Sequence, residues 1–336
     1  PAHRVSTMTA VRSALSFKCL TLALLLLLAA AHPALAQTWP PKTVRIVVPF
    51  GAGSTPDIVA RIVADGLSRK YPKSAFVVEN KPGASGNIGT DAVAKAAPDG
   101  ATIGISIGGP LAINTLLFSN LPYDPRKDIA PITLLVTQPS ALAVNPGLKV
   151  NTVAELVALL KANPGQYNFA SIGNGSLSQL AMEALAIKSG TKLVHVPYPS
   201  SPQAITAVIR NDAQMACLPA ISVTPQAKAG KVKILAVSTA KRSPYLPDVP
   251  TLKESGIDVE ADAWNGLIAP GATPKPIIDQ INKDVVDIIR QPAVRDKLAA
   301  QLMEPAGSTP EEFRARMNGE IARWAPVIKA AAIKIN

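Results

Sequence analysis

Histidine, cysteine and aromatic residues are scarce in this 336-residue chain: three histidines, two cysteines and 4% aromatics. A metal centre needs several His, Cys or clustered carboxylate ligands. The sequence holds no such cluster, so neither a metal nor a cofactor is expected. With so few aromatic rings, stacking of single-stranded nucleic acid has little to work with. Basic residues never run longer than two, which argues against the phosphate-tracking stripe of a nucleic-acid binder. Charged residues make up only 17% of the chain and hydrophobic ones 48%, against roughly 25% charged in an average soluble protein. Disorder, collagen-like repeats and acidic tails are excluded.

The chain opens on a segment with the pattern of an export signal. Arg4, Arg12 and Lys18 form a positive region without acids. The run at 20–31 is apolar except for Thr21, and Ala34-Leu35-Ala36 gives a small-x-small cleavage site before Gln37. The apolar run is too short for a membrane span, which needs about 20 such residues. Cys19 follows Phe17-Lys18 rather than a small residue, so no lipid anchor is read. The expected mature chain starts at Gln37, and its net charge falls from +11 to +8. A mild positive field is compatible with an anionic small molecule. Cys19, His3 and His32 leave with the signal. Cys217 therefore has no intramolecular disulfide partner, and His195 is the one histidine of the expected mature chain.

Length allows one large domain or two ordinary ones at about 100–200 residues each. Thirty-one prolines and 21 glycines punctuate many short elements. TVRIVVPF (43–50), SAFVVENK (74–81) and TIGISIGG (102–109) read as near-continuous apolar strands. Helices from about 56 to 70 and ending near 97 separate them, the signature of a parallel sheet covered on both faces. The apolar run 131–144 is too long for one ordinary strand and reads as a passage from one lobe to another. A second strand-helix series follows: a helix opened by the capping box at 152–155, then 167–172, 176–188, 192–198, 202–210, 214–219 and 231–239. WNGLIAPG (264–271) and terminal helices to about Lys329 complete the chain. This order predicts a two-lobed hinge architecture, with ligand between the lobes at the carboxyl ends of the strands.

Several strand-to-helix loops are rich in glycine and hydroxyls. PFGAGSTPD (49–57) lets Gly51 and Gly53 bring backbone close to a ligand, with Ser54 or Thr55 capping the next helix. Its free amides and the helix dipole suit an anion, although the same residues are ordinary helix-start chemistry. NKPGASGNIG (80–89) spaces Gly83, Gly86 and Gly89 three apart, matching neither G-x-G-x-x-G nor the phosphate-binding G-x-x-x-x-G-K-[ST]. The turn at 107–110 reads as structural. SIGNGSLSQL (171–180) sets Ser171, Asn174, Ser176 and Ser178 around two glycines at another helix start. Catalytic groupings are poor. No G-x-S-x-G precedes His195, which reads as a packing residue. Cys217 in an apolar strand reads as core, and so does Trp264.

Together these stretches resemble the Bug family, also called TctC-like: solute-binding receptors of tripartite tricarboxylate transporters. The resemblance spans the expected mature chain through WPPKTVRIVVPF, D-I-V-A-R, VVENKPGASGNIGT, AKAAPDG, LPYDPRKD, NFASIGNGSLSQLA, HVPY, AKAGKVKILAVS and LPDVPTLKESG. It implies an α/β, two-lobed periplasmic-binding-protein (type II-like) fold. Each lobe is a mostly parallel mixed sheet flanked by helices, and two crossing strands join the lobes. Lobe one is expected at 37–137 plus 264–336 and lobe two at 138–263, after a signal peptide at 1–36.

The resemblance also implies a periplasmic, non-enzymatic monomer without cofactor. It takes a di- or tricarboxylate, aromatic acid or acidic amino acid and delivers it to inner-membrane transporter subunits. The implied first-lobe ligand positions are Phe50, Ala52, Gly53 and Asp57, the last able to meet an amino group. Those of the second lobe are Ser171, Asn174, Gly175 and Ser176. Ser54, Ser85 and Tyr198, in the same loops and in HVPY, complete the candidate site. The chain departs from the family pattern at Ser54, Pro56, Gln179, 199–201 and Leu218. Two alternative readings remain at this level: a ligand-sensing receptor for a sensor kinase, and a periplasmic esterase using a loop serine.

Overall fold

TVRIVV and TIGISI are dominated by β-branched residues, whose stiff side chains suit a pleated strand better than a helix. In the computed structural model, which describes residues 39–335, they form β1 (Thr43–Val48) and β3 (Thr102–Ile107). The export segment expected at 1–36 and the expected start at Gln37 lie outside the described residues. Strand β2 (Ala75–Asn80) and β3 run parallel to β1 on either side of it. The first sheet is completed by β4 (Ile129–Gln138), β10 (Ala263–Pro270) and β11 (Glu304–Pro305), in the order β11-β4-β10-β3-β1-β2. Strand β10 is antiparallel to both neighbours, β3 and β4.

The second sheet has the order β7-β6-β8-β5-β9. It is built from β5 (Ser140–Val144), β6 (Asn168–Ser171), β7 (Val194–Pro197), β8 (Met215–Pro219) and β9 (Lys233–Val237). Strands β7, β6 and β8 are parallel, whereas β5 is antiparallel to β8 and β9. Both sheets are mixed, and the fold is two-lobed, as the sequence predicts; the expected mostly parallel pairing is not found, because the returning strand β10 and the crossing strands β4 and β5 pair antiparallel with their neighbours.

Helices α1 (Thr55–Lys70), α2 (Asn87–Ala94) and α3 (Asn114–Leu117) belong to the first strand-helix series. Helices α4 (Val153–Ala162), α5 (Leu177–Ser189), α6 (Ser201–Arg210) and α7 (Ala220–Lys228) belong to the second. After β10 come α8 (Lys275–Ile289), α9 (Pro292–Ala299) and α10 (Pro310–Ala330).

The chain passes between sheets at Pro139, the single residue separating β4 from β5. Proline has no N–H to give a ladder, so pairing is interrupted where the chain changes sheets. The return runs beside it. Ala261 N–H donates to Ser238 O at 2.8 Å, Ser238 N–H donates to Ser140 O at 2.9 Å, and Ala263 pairs with Gln138.

Helix α10 spans both cores. Phe313 and Met317 pack with Trp264 and Ile268, while Trp324 and Ile328 pack with Leu142, Phe169 and Leu180. Charge ties the same helix to the segment just before β10, with Glu320 of the helix itself joining the network. Arg316 pairs with Asp262 at 2.7 Å and Glu320 at 3.0 Å, and Arg323 pairs with Glu260 at 3.1 Å.

Candidate ligand-binding site

The loop after β1 is organised by one carboxylate. Asp57, 2% exposed, accepts the Gly53 N–H (2.8 Å) and Arg61 Nε (3.0 Å) on Oδ2. It accepts Arg61 Nη2 (3.0 Å) and Asn80 Nδ2 (3.0 Å) on Oδ1. Asn80 Nδ2 also donates to Phe50 O at 2.9 Å. Burial by itself would raise the pKa of Asp57. The bonds from Arg61, Gly53 and Asn80 outweigh it and hold the carboxyl below its ordinary value.

Ser54 takes the cap position, but its side chain makes no cap bond and its hydroxyl is buried without a partner. The cap expected of Ser54 or Thr55 is therefore not made. Asp57, three residues on, reaches back to satisfy the Gly53 amide instead. Pro56 removes one orphan donor from the first turn. The amides of Thr55 and Asp57 have no partner among the described residues.

A second loop stands beside the first. Ala84 and Ser85 are consecutive non-glycine residues in the left-handed region, with φ of 46° and 54°, each at a cost of order 1–3 kcal/mol. The buried side chain of Asn114 holds them there, donating to Ser85 O at 3.3 Å and to Asn87 Oδ1 at 2.6 Å. Gly86 admits close neighbours. A Cβ there would lie 2.8 Å from Phe50 Cζ and 2.6 Å from Pro110 Cγ. Phe50, the 83–86 turn and Pro110 therefore meet at the carboxyl ends of β1, β2 and β3.

The loop after β6 repeats the arrangement in the second lobe. Ser176 caps α5, accepting from Gln179 N–H, and its hydroxyl donates to Gly173 O at 2.6 Å. Ser178 Oγ accepts the Ile172 N–H at 2.9 Å, and Gln179 Oε1 accepts the Gly175 N–H at 2.8 Å. Gly173 and Gly175 have φ of 118° and 73°, a backbone that side chains resist. Asn174 is exposed at the tip. The amides of Asn174, Leu177 and Ser178 have no partner among the described residues. Tyr198 N–H donates to Ser171 O at 2.9 Å, setting that tyrosine beside the same strand end.

The second-lobe turn is packed against helix α3 and the chain's end. A Cβ on Gly175 would lie 2.5 Å from Leu117 Cδ1 and 2.6 Å from Ile335 Cδ1. The end of α3 and the chain's last described residue therefore both press on the second-lobe turn. The candidate residues thus form two groups: Phe50, Ala52, Gly53, Ser54, Asp57 and Ser85, and Ser171, Asn174, Gly175, Ser176 and Tyr198. A surface cavity of about 360 Å³ between 151–154, Ile234, Leu235 and 248–250 shares no residue with either group.

Comparison with known proteins assigns the family. Residues 59–333 match the family described as "Tripartite tricarboxylate transporter family receptor". The chain belongs to this receptor family. Protein BugT of Bordetella pertussis is 33% identical over 309 residues, covering 91% of this chain and 94% of BugT. Among solved structures, R. palustris Rpa4515 with adipate is 33% identical with a TM-score of 0.78, covering 88% of this chain and 99% of that one. MatC from Rhodopseudomonas palustris with bound malate is 30% identical with a TM-score of 0.73, covering 86% and 100%.

Within this receptor, His195 does more than fill space. Its Nε2 lies 2.6 Å from Ser171 Oγ, and its ring stacks on Phe169. Ser171 is fully buried and its hydroxyl also meets Gly173 N–H at 3.1 Å. Cys217 is buried, and burial pushes its thiol up to about 12, which leaves it protonated and unreactive. Trp264 is buried and packs edge-on against Phe313.

Sequence reasoning missed Arg61, Asn80, Asn114 and Leu117. Asn80 opens the N-K-P-G motif, and Arg61 stands four residues after Asp57, a spacing that puts both on one helix face. Asn114 and Leu117 carried no local signal. Their roles depend on contacts at separations of 29 residues for Asn114 with Ser85 and 58 for Leu117 with Gly175.

Proposed function

We propose that the protein is a periplasmic solute-binding receptor that captures a small carboxylate between its lobes and delivers it to inner-membrane subunits of a tripartite tricarboxylate transporter. Its export would be directed by the segment at 1–36. The lobes in this reading are 37–137 with 264–336, and 138–263. The ligand residues are those of the two groups above, acting mainly through backbone.

One observation carries the reading. Two helix-start loops, one per lobe, keep amides without a partner among the described residues (Thr55 and Asp57 in the first; Asn174, Leu177 and Ser178 in the second), and the first also holds the buried hydroxyl of Ser54, likewise unpartnered there. Oriented amides at helix N-termini favour anions. Each hydrogen bond to a charged group is worth about 1.5–3 kcal/mol, and closure about the two crossings would strengthen them by excluding water. The adipate- and malate-bound relatives support the same ligand class.

A receptor fits the residues better than an esterase. The serine that meets His195 is fully buried and hydrogen-bonded to its own turn, so it is not presented to a substrate. A thermal-shift screen of di- and tricarboxylates and aromatic acids tests the reading. An acid at about 100 times its dissociation constant adds about 2.7 kcal/mol to native stability. No shift with any acid of these classes contradicts it.

A further inference from the structure

Helix α10 is anchored at both ends. Phe313 and Met317 lie in the core with Trp264 and Ile268, and Trp324 and Ile328 in the core with Leu142, Phe169 and Leu180. A rotation of one lobe on the other must therefore bend the helix between Met317 and Trp324 or pull a buried ring out of its core. Densely packed interiors resist the second. Gly319 stands in that interval. It is exposed, and beyond its own helix backbone no atom lies within 4 Å of where a Cβ would be. Neither crowding nor a left-handed backbone calls for glycine there, and glycine weakens a helix interior relative to alanine. Pro326 weakens the helix as well, but within the part that carries Trp324 and Ile328.

Charged side chains tie the same interval to the return segment before β10. Arg316, ahead of Gly319, pairs with Asp262 at 2.7 Å. Arg323, behind it, pairs with the Glu260 carboxylate at 3.1 Å and donates to the Glu260 carbonyl at 3.2 Å. Glu320, 2% exposed, sits between them and accepts from Arg316 (3.0 Å), Arg323 (3.2 Å) and Trp324 Nε1 (2.6 Å). The two arginines thus hold one short stretch of the crossing from either side of one glycine, and a bend at Gly319 shifts both pairings together. Arg316 Nε is buried without a partner among the described residues, and an unmade buried hydrogen bond is costly. The network is therefore not at its best in this arrangement of the lobes.

We infer that α10 is a third connection between the lobes that bends at Gly319, and that Arg316 is a positioning residue coupling this bend to the return crossing. Contacts that differ between open and closed states bias the equilibrium between them, so these residues set how readily the cleft closes without touching its ligand.

Interlobe distances measured by spin-label EPR on the full mature protein, without ligand, test it. The labels go on Ile88→Cys in the first lobe and Gln203→Cys in the second, both exposed positions. Cys217 is buried and stays unlabelled. In Gly319→Ala the distance distribution narrows while the melting temperature does not fall, a combination that a merely structural glycine would not give. In Arg316→Met the distribution widens or its mean moves by more than about 2 Å. Arg316→Lys keeps the charge but not the forked geometry; it gives a smaller change of the same kind, and replaces the Met variant if that one does not fold. Distributions unchanged in Gly319→Ala and in the Arg316 variants overturn the inference. A change at only one position overturns the role given to the other. A lower melting temperature for Gly319→Ala shows that a side chain is not accommodated there and overturns the flexing role of that glycine. No acid is added, so this result and the thermal-shift screen stand or fall separately.

Discussion

His195 Nε2 stands 2.6 Å from the Ser171 hydroxyl, and the imidazole stacks on Phe169 with ring centroids 4.9 Å apart. The pair links Ser171, the last residue of β6, to His195, the second residue of β7. Burial disfavours the charged ring and lowers the His195 pKa from its ordinary 6.5. The unfolded chain therefore binds this proton more readily than the native one. The stability His195 contributes is complete above about pH 6.5 and is lost as pH falls through the lower native value. Melting temperatures at pH 7 and pH 5 check this. His195→Asn, which cannot titrate, shows a smaller drop across that interval. An equal drop in both proteins contradicts the assignment.

Asp57 predicts the opposite region of the pH scale. Its native value lies below the ordinary 3.8. Its contribution is intact above about pH 4 and lost as pH falls through the native value. Asp57→Asn leaves Arg61, more than half exposed, with little to lose, since exposed pairs contribute little. The cost falls on the buried side, at Gly53 N–H and Asn80, and amounts to about 1–3 kcal/mol by denaturant titration at pH 7. The variant's acid unfolding limb is correspondingly flatter.

Gly89, in the first turn of α2, offers a test in which two effects oppose each other. Helix propensity alone makes Gly89→Ala stabilising by about 1 kcal/mol. A Cβ there would lie 2.5 Å from Pro49 Cα and 2.8 Å from Lys81 O, both backbone atoms that cannot step aside. Packing wins. The variant is expected to lose about 1–3 kcal/mol in urea unfolding and to bind ligand more weakly, because α2 is pushed off the loop it supports. A gain in stability contradicts the packing account.

The fold was legible in the sequence because its signals are local. Apolar strand runs, glycine-bearing loops and helix starts such as Thr152, which caps α4 by accepting from Glu155 N–H at 3.1 Å, all lie within a few residues. The passage at 131–144 resolves into β4 and β5 on either side of Pro139. Helix α7 went unread because Pro225 sits inside it and proline argues against a helix interior. The segment 109–117 went unread too. It begins as a wide turn over Gly109–Ile113 and is held by contacts distant in sequence.

The candidate site was legible at its glycines and hydroxyls, and not in its wiring. Asp57 enters the candidate site through the family resemblance. That its oxygens are already taken by Arg61 and Asn80 emerges only when β2 is laid beside β1.

Trp324 reports on the junction of α10 with the second core. It is 1% exposed, and its Nε1 donates to the buried Glu320 at 2.6 Å. Trp324→Ala removes a large buried ring and is expected to cost about 3–5 kcal/mol, measured by the shift of the urea midpoint. A loss below about 1 kcal/mol contradicts the packing described.

A crystal structure with a bound dicarboxylate tests the central claim most directly. The account predicts carboxylate oxygens within about 3.2 Å of the Thr55 or Asp57 amide on one lobe and of the Asn174, Leu177 or Ser178 amide on the other. A ligand seated elsewhere, as in the cavity between 151–154 and 248–250, contradicts it.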